Sequence, residues 1–348
     1  MKKNDISSLK VAGVYIGTIV GAGFATGQEV LQFFTRFGFM GLIGLLITTV
    51  MFITFGYIIM DLGRKLRAHS HLEIIKYAGG KKVGTVIDII ITFFLFGSLT
   101  AMIAGTGALV EQQFNLPIYF GNILMVVLAA LTVLTGIKGV INSISMVVPF
   151  LLVAVVLVSV YSIINSPTGI SNAVNINESS LITNWFMAAI LYVSYNLITS
   201  IAVLAPLGYE SSNRKVIING AILGGCGLGF GAVMINVALL SNLSEISGLE
   251  VPMIYIAGKM SNTIQAGYSI VLVAEIYTTA VGSLYGFASR FTHINEDRLK
   301  SALIIAVTSI AALLASQFGF SNLVKFLYPF VGYCGIVLLI ALIAQKVK

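Results

Sequence analysis

An all-α integral membrane protein of ten spans is what the sequence predicts, and three observations carry the prediction. Of its 348 residues, 57% are hydrophobic and only 9% charged, against roughly 25% charged in an average soluble chain. Apolar runs near residues 9–35, 39–60, 84–111, 118–137, 140–164, 182–208, 215–240, 263–289, 301–318 and 321–345 each approach or exceed the roughly 20 residues that cross a bilayer. Lysine and arginine, finally, crowd into alternate loops.

Runs this long are helices, because an open sheet edge in hydrocarbon leaves backbone groups unpaired and barrel strands would alternate over about 10 residues. The start, "MKKNDISSLK" followed by apolar residues and "GAGFATG", imitates a signal peptide with small residues at a cleavage site. Its removal would leave nine spans and spoil the charge pattern, so it is read as span one. With a cytoplasmic N-terminus, 17 of the 20 Lys and Arg fall on the inner side, and only Arg36, Lys259 and Lys325 fall outside. The positive-inside rule then places both termini in the cytoplasm, in a multi-pass protein of the cell membrane. A net charge of +7 meets anionic lipid headgroups and calls for no nucleic acid. Residues 1–348 read as one transmembrane domain.

Span one carries "GTIVGAGFATGQEV" at its centre, four glycines and a carboxylate in a helix that should tolerate neither. Gly13, Gly17 and Gly21 are four apart, as are Gly23 and Gly27, which suits close helix packing; Gly13 is read that way. Gly21 and Gly23 are two apart and lie on opposite sides of a helix, so they are read as a break. The spacing is GxGxxxG with no strand before it, which excludes a dinucleotide fingerprint. An unwound stretch exposes N–H and C=O groups and creates half-helix ends with partial charges. Such a gap can take a carboxylate near Ala25 to Gly27 and a cation at the carbonyls from Gly17 to Gly21.

Span two ends at Asp61, and span three begins near Asp88; both are read as interfacial partners of nearby basic residues. Between them "HSHLEIIKYAGGKK" reads as an amphipathic surface helix, with His69 and His71 two apart, unlike a helical metal pair. Span three has a small, mildly polar centre in which Ser98 and Thr100 could line a cavity. Asn177 heads a sequon in the loop before span six, and Asn242 heads another after span seven.

Span six has "LYVSYNLITS" at its centre and Pro206 near its end, so it too is expected to be discontinuous. Half of the chain is 174 residues, and 174 residues beyond Gly21 lies Tyr195. Two interrupted spans in corresponding positions of two five-helix halves, about 8–165 and 181–345, point to an inverted-repeat transporter with its site at the bilayer midplane. Tyr195 and Asn196, with Ser194 and Thr199 nearby, are the expected solute contacts. Span seven holds "GGCGLGFG", read as tight packing. Cys226 and Cys334 sit in spans seven and ten without metal or CxxC spacing and are read as small packing residues. Span eight carries Glu275 on one face with Thr278, Thr279 and Gly282. A charge placed there must face the interior, be protonated or have a partner, and the same holds for Glu29. Glu29 is open to three readings: a solute contact, a gate with Arg36, or a carboxyl hydrogen-bonded within the bundle.

"GTIVGAGFATGQEVLQFF", "YNLITSIAVLAPLG" and "EIYTTAVGSLYGFASRF" resemble the YkvI-type bacterial membrane proteins over the whole chain. Through them the chain resembles the amino acid-polyamine-organocation superfamily with its LeuT-like five-plus-five fold, in which helices 1 and 6 are broken. The resemblance implies a sodium site made by the carbonyls of Gly17 and Val20 and the hydroxyls of Thr278 and Thr279, oxygen ligands that suit a hard cation. Mid-helix threonines can instead bond back to their own helix, and Glu275 could add charge to the site or itself carry a proton. A solute would lie against Gly21, Ala22, Gly23, Phe24, Ala25 and Thr26, with Tyr195, Asn196 and Glu29. The function expected is ion-coupled symport, with Na+ or H+, of a small solute such as an amino acid or related zwitterion. A sensor of the same fold that moves nothing, and a channel, are the rival classes; HExxH and GxSxG motifs are absent, which argues against an enzyme.

Overall fold

The computed structural model describes residues 6–165, 181–211, 213–246, 249, 251–292, 294 and 297–346. Among these every regular element is a helix. Span one is three pieces, α1 (Ser8–Ile19), α2 (Ala22–Ala25) and α3 (Gln28–Phe33). There follow α4 (Phe39–Leu66), α5 (His71–Phe114), α6 (Ile118–Val133), α7 (Ile137–Asn165), α8 (Trp185–Glu210) and α9 (Arg214–Leu240). Two short helices, α10 (Leu243–Ile246) and α11 (Pro252–Met260), precede α12 (Asn262–Ala288), α13 (Arg298–Ala315), α14 (Phe320–Asn322) and α15 (Tyr328–Lys346). Among the described residues, seven helical segments are long and apolar enough to cross a membrane, and α1, α6 and the 149–165 part of α7 are shorter apolar helices.

The sequence dictates which helices lie inside. Helices α1 and α8 form the centre, and their large side chains Tyr15, Tyr192 and Tyr195 are fully or almost fully buried. Around them, α4 packs on α8 and α9, α5 on α12, and α15 on α8. Outer faces stay apolar: Phe150, Val153 and Leu157 of α7 and Leu303, Val307 and Leu314 of α13 are all exposed. A surface of that kind suits lipid and not water. Cys226, expected to pack inside, also lies exposed on this outer surface.

Small residues let the helices approach closely, which is how apolar helices gain packing when the surroundings are equally apolar. A Cβ on Gly208 of α8 would run into the Met60 carbonyl of α4, and one on Gly63 would run into the Ala205 carbonyl. The glycines of α9 do the same work: Gly220 and Gly224 face Val11 and Tyr15 of α1, and Gly225 faces Ile53 of α4. The packing reading of "GGCGLGFG" therefore holds.

The amphipathic segment is present but continuous with span three. A capping box starts it, Ser70 accepting from the Leu72 N–H while Glu73 reaches back to the Ser70 N–H. Gly80, at φ 63°, then turns the chain into the long apolar part of α5.

The expected interruption of span six is not found. Helix α8 runs unbroken from Trp185 to Glu210. Two of the polar residues that suggested a break bond within the helix: Asn196 Nδ2 donates to the Tyr192 carbonyl at 2.9 Å and Thr199 Oγ1 to the Tyr195 carbonyl at 3.0 Å. Back-bonding of this kind removes the need to unwind, and Pro206 is accommodated within the last turns.

Gly208→Ala should lower the melting temperature in detergent, because overpacking against backbone costs about 1–3 kcal/mol. Gly267→Ala, a helical position with open space around it, should leave it unchanged or slightly higher. A thermal unfolding series on the two variants checks this.

Candidate functional site

The interruption of span one lies in the middle of the bundle, and several of its freed carbonyls can be followed to a partner. Helix α1 stops where Val20 turns extended, at φ −69° and ψ 129°. Helix α2 is a single turn, and Gly27 at φ 83°, a left-handed conformation that favours glycine, starts α3. The break is therefore double, at Val20–Gly21 and at Thr26–Gly27. The sequence placed it only at Gly21–Gly23, and Gly23 in fact lies within the α2 turn, between Ala22 and Phe24.

Helix α12 supplies most of the partners. Thr279 Oγ1 donates to the Val20 carbonyl, and Tyr268 Oη donates to the Ala25 carbonyl at 2.7 Å. Thr278 Oγ1 lies 3.4 Å from the Gly17 carbonyl and 2.9 Å from the Glu275 carbonyl of its own helix. A further bond comes from α11, whose Met253 N–H donates to the Thr26 carbonyl at 3.0 Å. Tyr268 and Met253 were missed in the sequence. Tyr268 lies seven residues before Glu275, on the same helical face, and that spacing was a usable signal.

Gly17, Val20, Glu275, Thr278 and Thr279 thus converge, as expected. They offer three carbonyls, two hydroxyls and a carboxylate, all buried. Glu275 is fully buried, and its Oε1 has no hydrogen-bond partner. An orphaned anionic oxygen beside carbonyl and hydroxyl oxygens is a donor set that fits a hard cation such as Na+. Among the described residues no cluster of three His, Cys, Asp or Glu side chains exists that would hold a transition metal.

On the other side of the break, Glu29 of α3 points inward. It is 3% exposed and accepts a 2.5 Å hydrogen bond from Tyr195 Oη. Its side chain lies across Gly23, where any Cβ would collide with it. Gly21 has Thr279 Oγ1 at 3.0 Å from where a Cβ would stand. Between these groups is a cavity of about 10 Å³, lined also by Phe94, Asn196 and Tyr328, about the space one water needs. Phe24 and Ala25 are buried, Phe24 against Gly231 of α9, and Thr26 Oγ1 bonds the Gly23 carbonyl at 3.2 Å.

Other expected residues are placed differently. Arg36 donates to the Ile182 carbonyl at 2.5 Å and covers the Phe37 ring, so no Glu29–Arg36 gate forms. Ser194 turns to the Gly332 carbonyl of α15, away from the gap. Thr100 bonds back to Phe96, whereas Ser98 reaches Ser283 at 3.0 Å and lines the cavity. Asn242 is buried, donating to Ser162 and accepting from Lys259, which leaves its sequon inaccessible. Asn177 lies outside the described residues. Asp61 pairs with Arg64 and Lys65. Asp88 is gripped by Arg290 at 2.6 to 3.0 Å, with His71 Nε2 at 3.4 Å. Beyond the spans, Glu245 is bound by Lys259 and by Tyr255, which hold its carboxyl below the usual range.

Two relatives cover nearly the whole chain. The "Uncharacterized membrane protein YkvI" of Bacillus subtilis (strain 168) is 30% identical over 99% of this chain and 98% of its own length. The chain belongs to the YkvI family. YyaD of the same organism is 28% identical over 95% of each chain, and no family model matches. Among solved structures, a Na+-coupled sialic acid symporter in its outward-open state superposes with a TM-score of 0.69 at 13% identity, covering 90% of this chain and 73% of that one. MhsT in complex with L-phenylalanine gives 0.66 at 17%, covering 96% and 88%. Inward-facing Mhp1 gives 0.67 at 11%, covering 95% and 74%. The YkvI-family chain thus shares the LeuT-like fold with proteins that are themselves transporters.

In this YkvI-family structure a far larger cavity, about 810 Å³, opens at the end of the bundle that carries His69, Lys76 and Arg290. It is bordered by Pro206 of α8 and Tyr285 of α12, six or seven residues beyond Thr199 and Thr279. At 1.5 Å per residue only about 10 Å of packed helix separates the two cavities. That plug consists of small contacts: a Cβ on Gly286 would lie 2.8 Å from Ala202 Cβ and 3.1 Å from Leu95.

Tyr268→Phe should destabilise the fold by about 1–3 kcal/mol, because the Ala25 carbonyl is then buried without a donor. Tyr285→Phe, at the cavity edge, should cost less; chemical denaturation of both variants tests the difference.

Proposed function

We propose that this chain is a secondary active transporter that carries a small organic solute through the gap in span one by alternating access. One observation carries the reading: the freed carbonyls of span one meet the Glu275–Thr279 face of α12 on one side and the Glu29–Tyr195–Asn196 cavity on the other. A rigid channel has no need of a helix broken twice. The transporter folds among the solved structures support the same class.

In this reading the chain has ten spans arranged as two inverted halves, about 8–165 and 181–345, with one broken span in the first. Seven long and three shorter apolar helices agree with that count. Both termini lie in the cytoplasm by the distribution of Lys and Arg, so the 810 Å³ cavity faces inward and the Gly286–Ala202–Leu95 plug is the thin inner barrier. Gly17, Val20, Glu275, Thr278 and Thr279 would hold the coupling ion. Bound Na+ would supply positive charge that ties the end of α1 to α12 and neutralises Glu275. Tyr268 and Met253 hold the outer half of span one closed against α12 and α11, so opening outward must break both bonds. Amino acids and related zwitterions are the solutes the gap was expected to take.

Reconstitution in liposomes with imposed sodium and proton gradients tests the class, with labelled amino acids and amines as solutes. Gradient-dependent uptake is expected; none for any solute would reject the carrier. Thr278→Ala with Thr279→Ala should weaken thermal stabilisation by sodium by about tenfold in apparent affinity, the scale of about 1.4 kcal/mol for a lost charged contact. Glu275→Gln should change the pH dependence of transport. A sodium response unchanged in the double threonine variant removes the ion site as drawn.

A further inference from the structure

We infer that the solute is an organic ammonium ion whose positive charge is met by Glu29 within the rings of Phe94, Tyr195 and Tyr328, and that a free carboxylate is excluded from the break. This rests on the carrier reading of the same gap and narrows its cargo.

Three features of the cavity lead there. Glu29 is buried at its edge, and among the described residues no Lys, Arg or His forms an ion pair with it. No cationic side chain lines the cavity. A carboxyl group kept in such a place must either carry a proton or meet a positive partner from elsewhere, since a buried bare charge is strongly unfavourable. Its hydrogen bond from Tyr195 is neutral and can be exchanged for a bond from an ammonium N–H.

The walls are the second feature. Tyr195 has Phe94 at 6.0 Å and Tyr328 at 5.0 Å between ring centroids, and all three rings border the cavity with Glu29. Phe33 and Tyr192 close the cluster behind Tyr195, each 5.5 Å from it. Aromatic faces carry negative potential, so a ring cluster beside a carboxylate attracts cations, and more strongly when water is excluded.

The third feature is the position of the Glu29 side chain. It lies across Gly23, just before the Ala25–Gly27 stretch at which the sequence suggested that a solute carboxylate would dock. A carboxylate brought to that stretch would stand near the protein's own carboxylate, with no basic residue lining the cavity to offset it. Glu275 serves the other side of the break, so the cation there has its own carboxylate and does not depend on the solute to supply one.

The test uses the full-length protein in detergent and in liposomes, with matched probes: putrescine, agmatine and phenethylamine, against ornithine, arginine and phenylalanine, each amine being its amino acid without the carboxylate. Thermal stabilisation and sodium-driven uptake are expected for at least one amine, at least tenfold tighter than for its parent amino acid. Glu29→Gln should weaken that amine by about 10- to 100-fold, the range for losing a charged hydrogen bond. Glu29→Asp, which keeps the charge, should bind the amine better than Glu29→Gln and shows that a loss in the latter is not a folding failure. Stabilisation and uptake of the amino acids with no response to the amines would overturn the ammonium assignment and leave the carrier standing, as would amine binding unchanged in Glu29→Gln. No binding and no flux with either set would overturn both.

Discussion

A backbone carbonyl in the middle of a membrane has no water to turn to, and this constraint governs how the bundle is built. Leaving several such groups unpaired would cost more than a small membrane domain can carry. Span one nonetheless gives up its helical bonds twice, at Val20–Gly21 and at Thr26–Gly27, and the rest of the structure makes that tolerable. Thr279 and Tyr268 of α12 and the Met253 N–H of α11 bond the carbonyls that α1 to α3 release. Because these partners are side chains and a loop end, they can let go. Helical hydrogen bonds of the same number would have locked the span.

Everything around the break follows from holding it at the centre. Glycines on α9 and the Gly63–Gly208 crossing of α4 and α8 draw the outer helices close enough to seal it from lipid. The two buried carboxylates stand on either side, Glu275 with the hydroxyl face of α12 and Glu29 with Tyr195 and its rings. A protein that spent such charges only on stability would be better served by apolar residues of the same size. Their placement on either side of the break is what the proposed site for positively charged cargo rests on.

Much of this was legible in the residues. Hydropathy alone located the apolar helices, because the runs are long and the loops short. Gly21 and Gly23 disclosed an interruption of span one, and Glu275 with Thr278 and Thr279 disclosed the polar face of α12. What the sequence hid were effects of tertiary bonding. Asn196 and Thr199 look like helix breakers, yet in a buried helix they bond back to carbonyls of the preceding turn and α8 stays whole. Gly27, expected at the carboxylate end of a single gap, instead makes a second interruption through its left-handed conformation. That turn rotates Glu29 towards Tyr195 and away from Arg36, which no residue spacing could have foretold.

The most direct measurement is counterflow in proteoliposomes, with the solute that best stabilises the purified protein. Unlabelled solute is trapped inside, and labelled solute is added outside in the absence of any ion gradient. If the broken span opens alternately to the two sides, labelled solute should accumulate transiently above its external concentration and then decay to equilibrium. Binding without that overshoot, either as no entry at all or as a simple rise to equilibrium, would contradict alternating access and leave a sensor or a channel in its place.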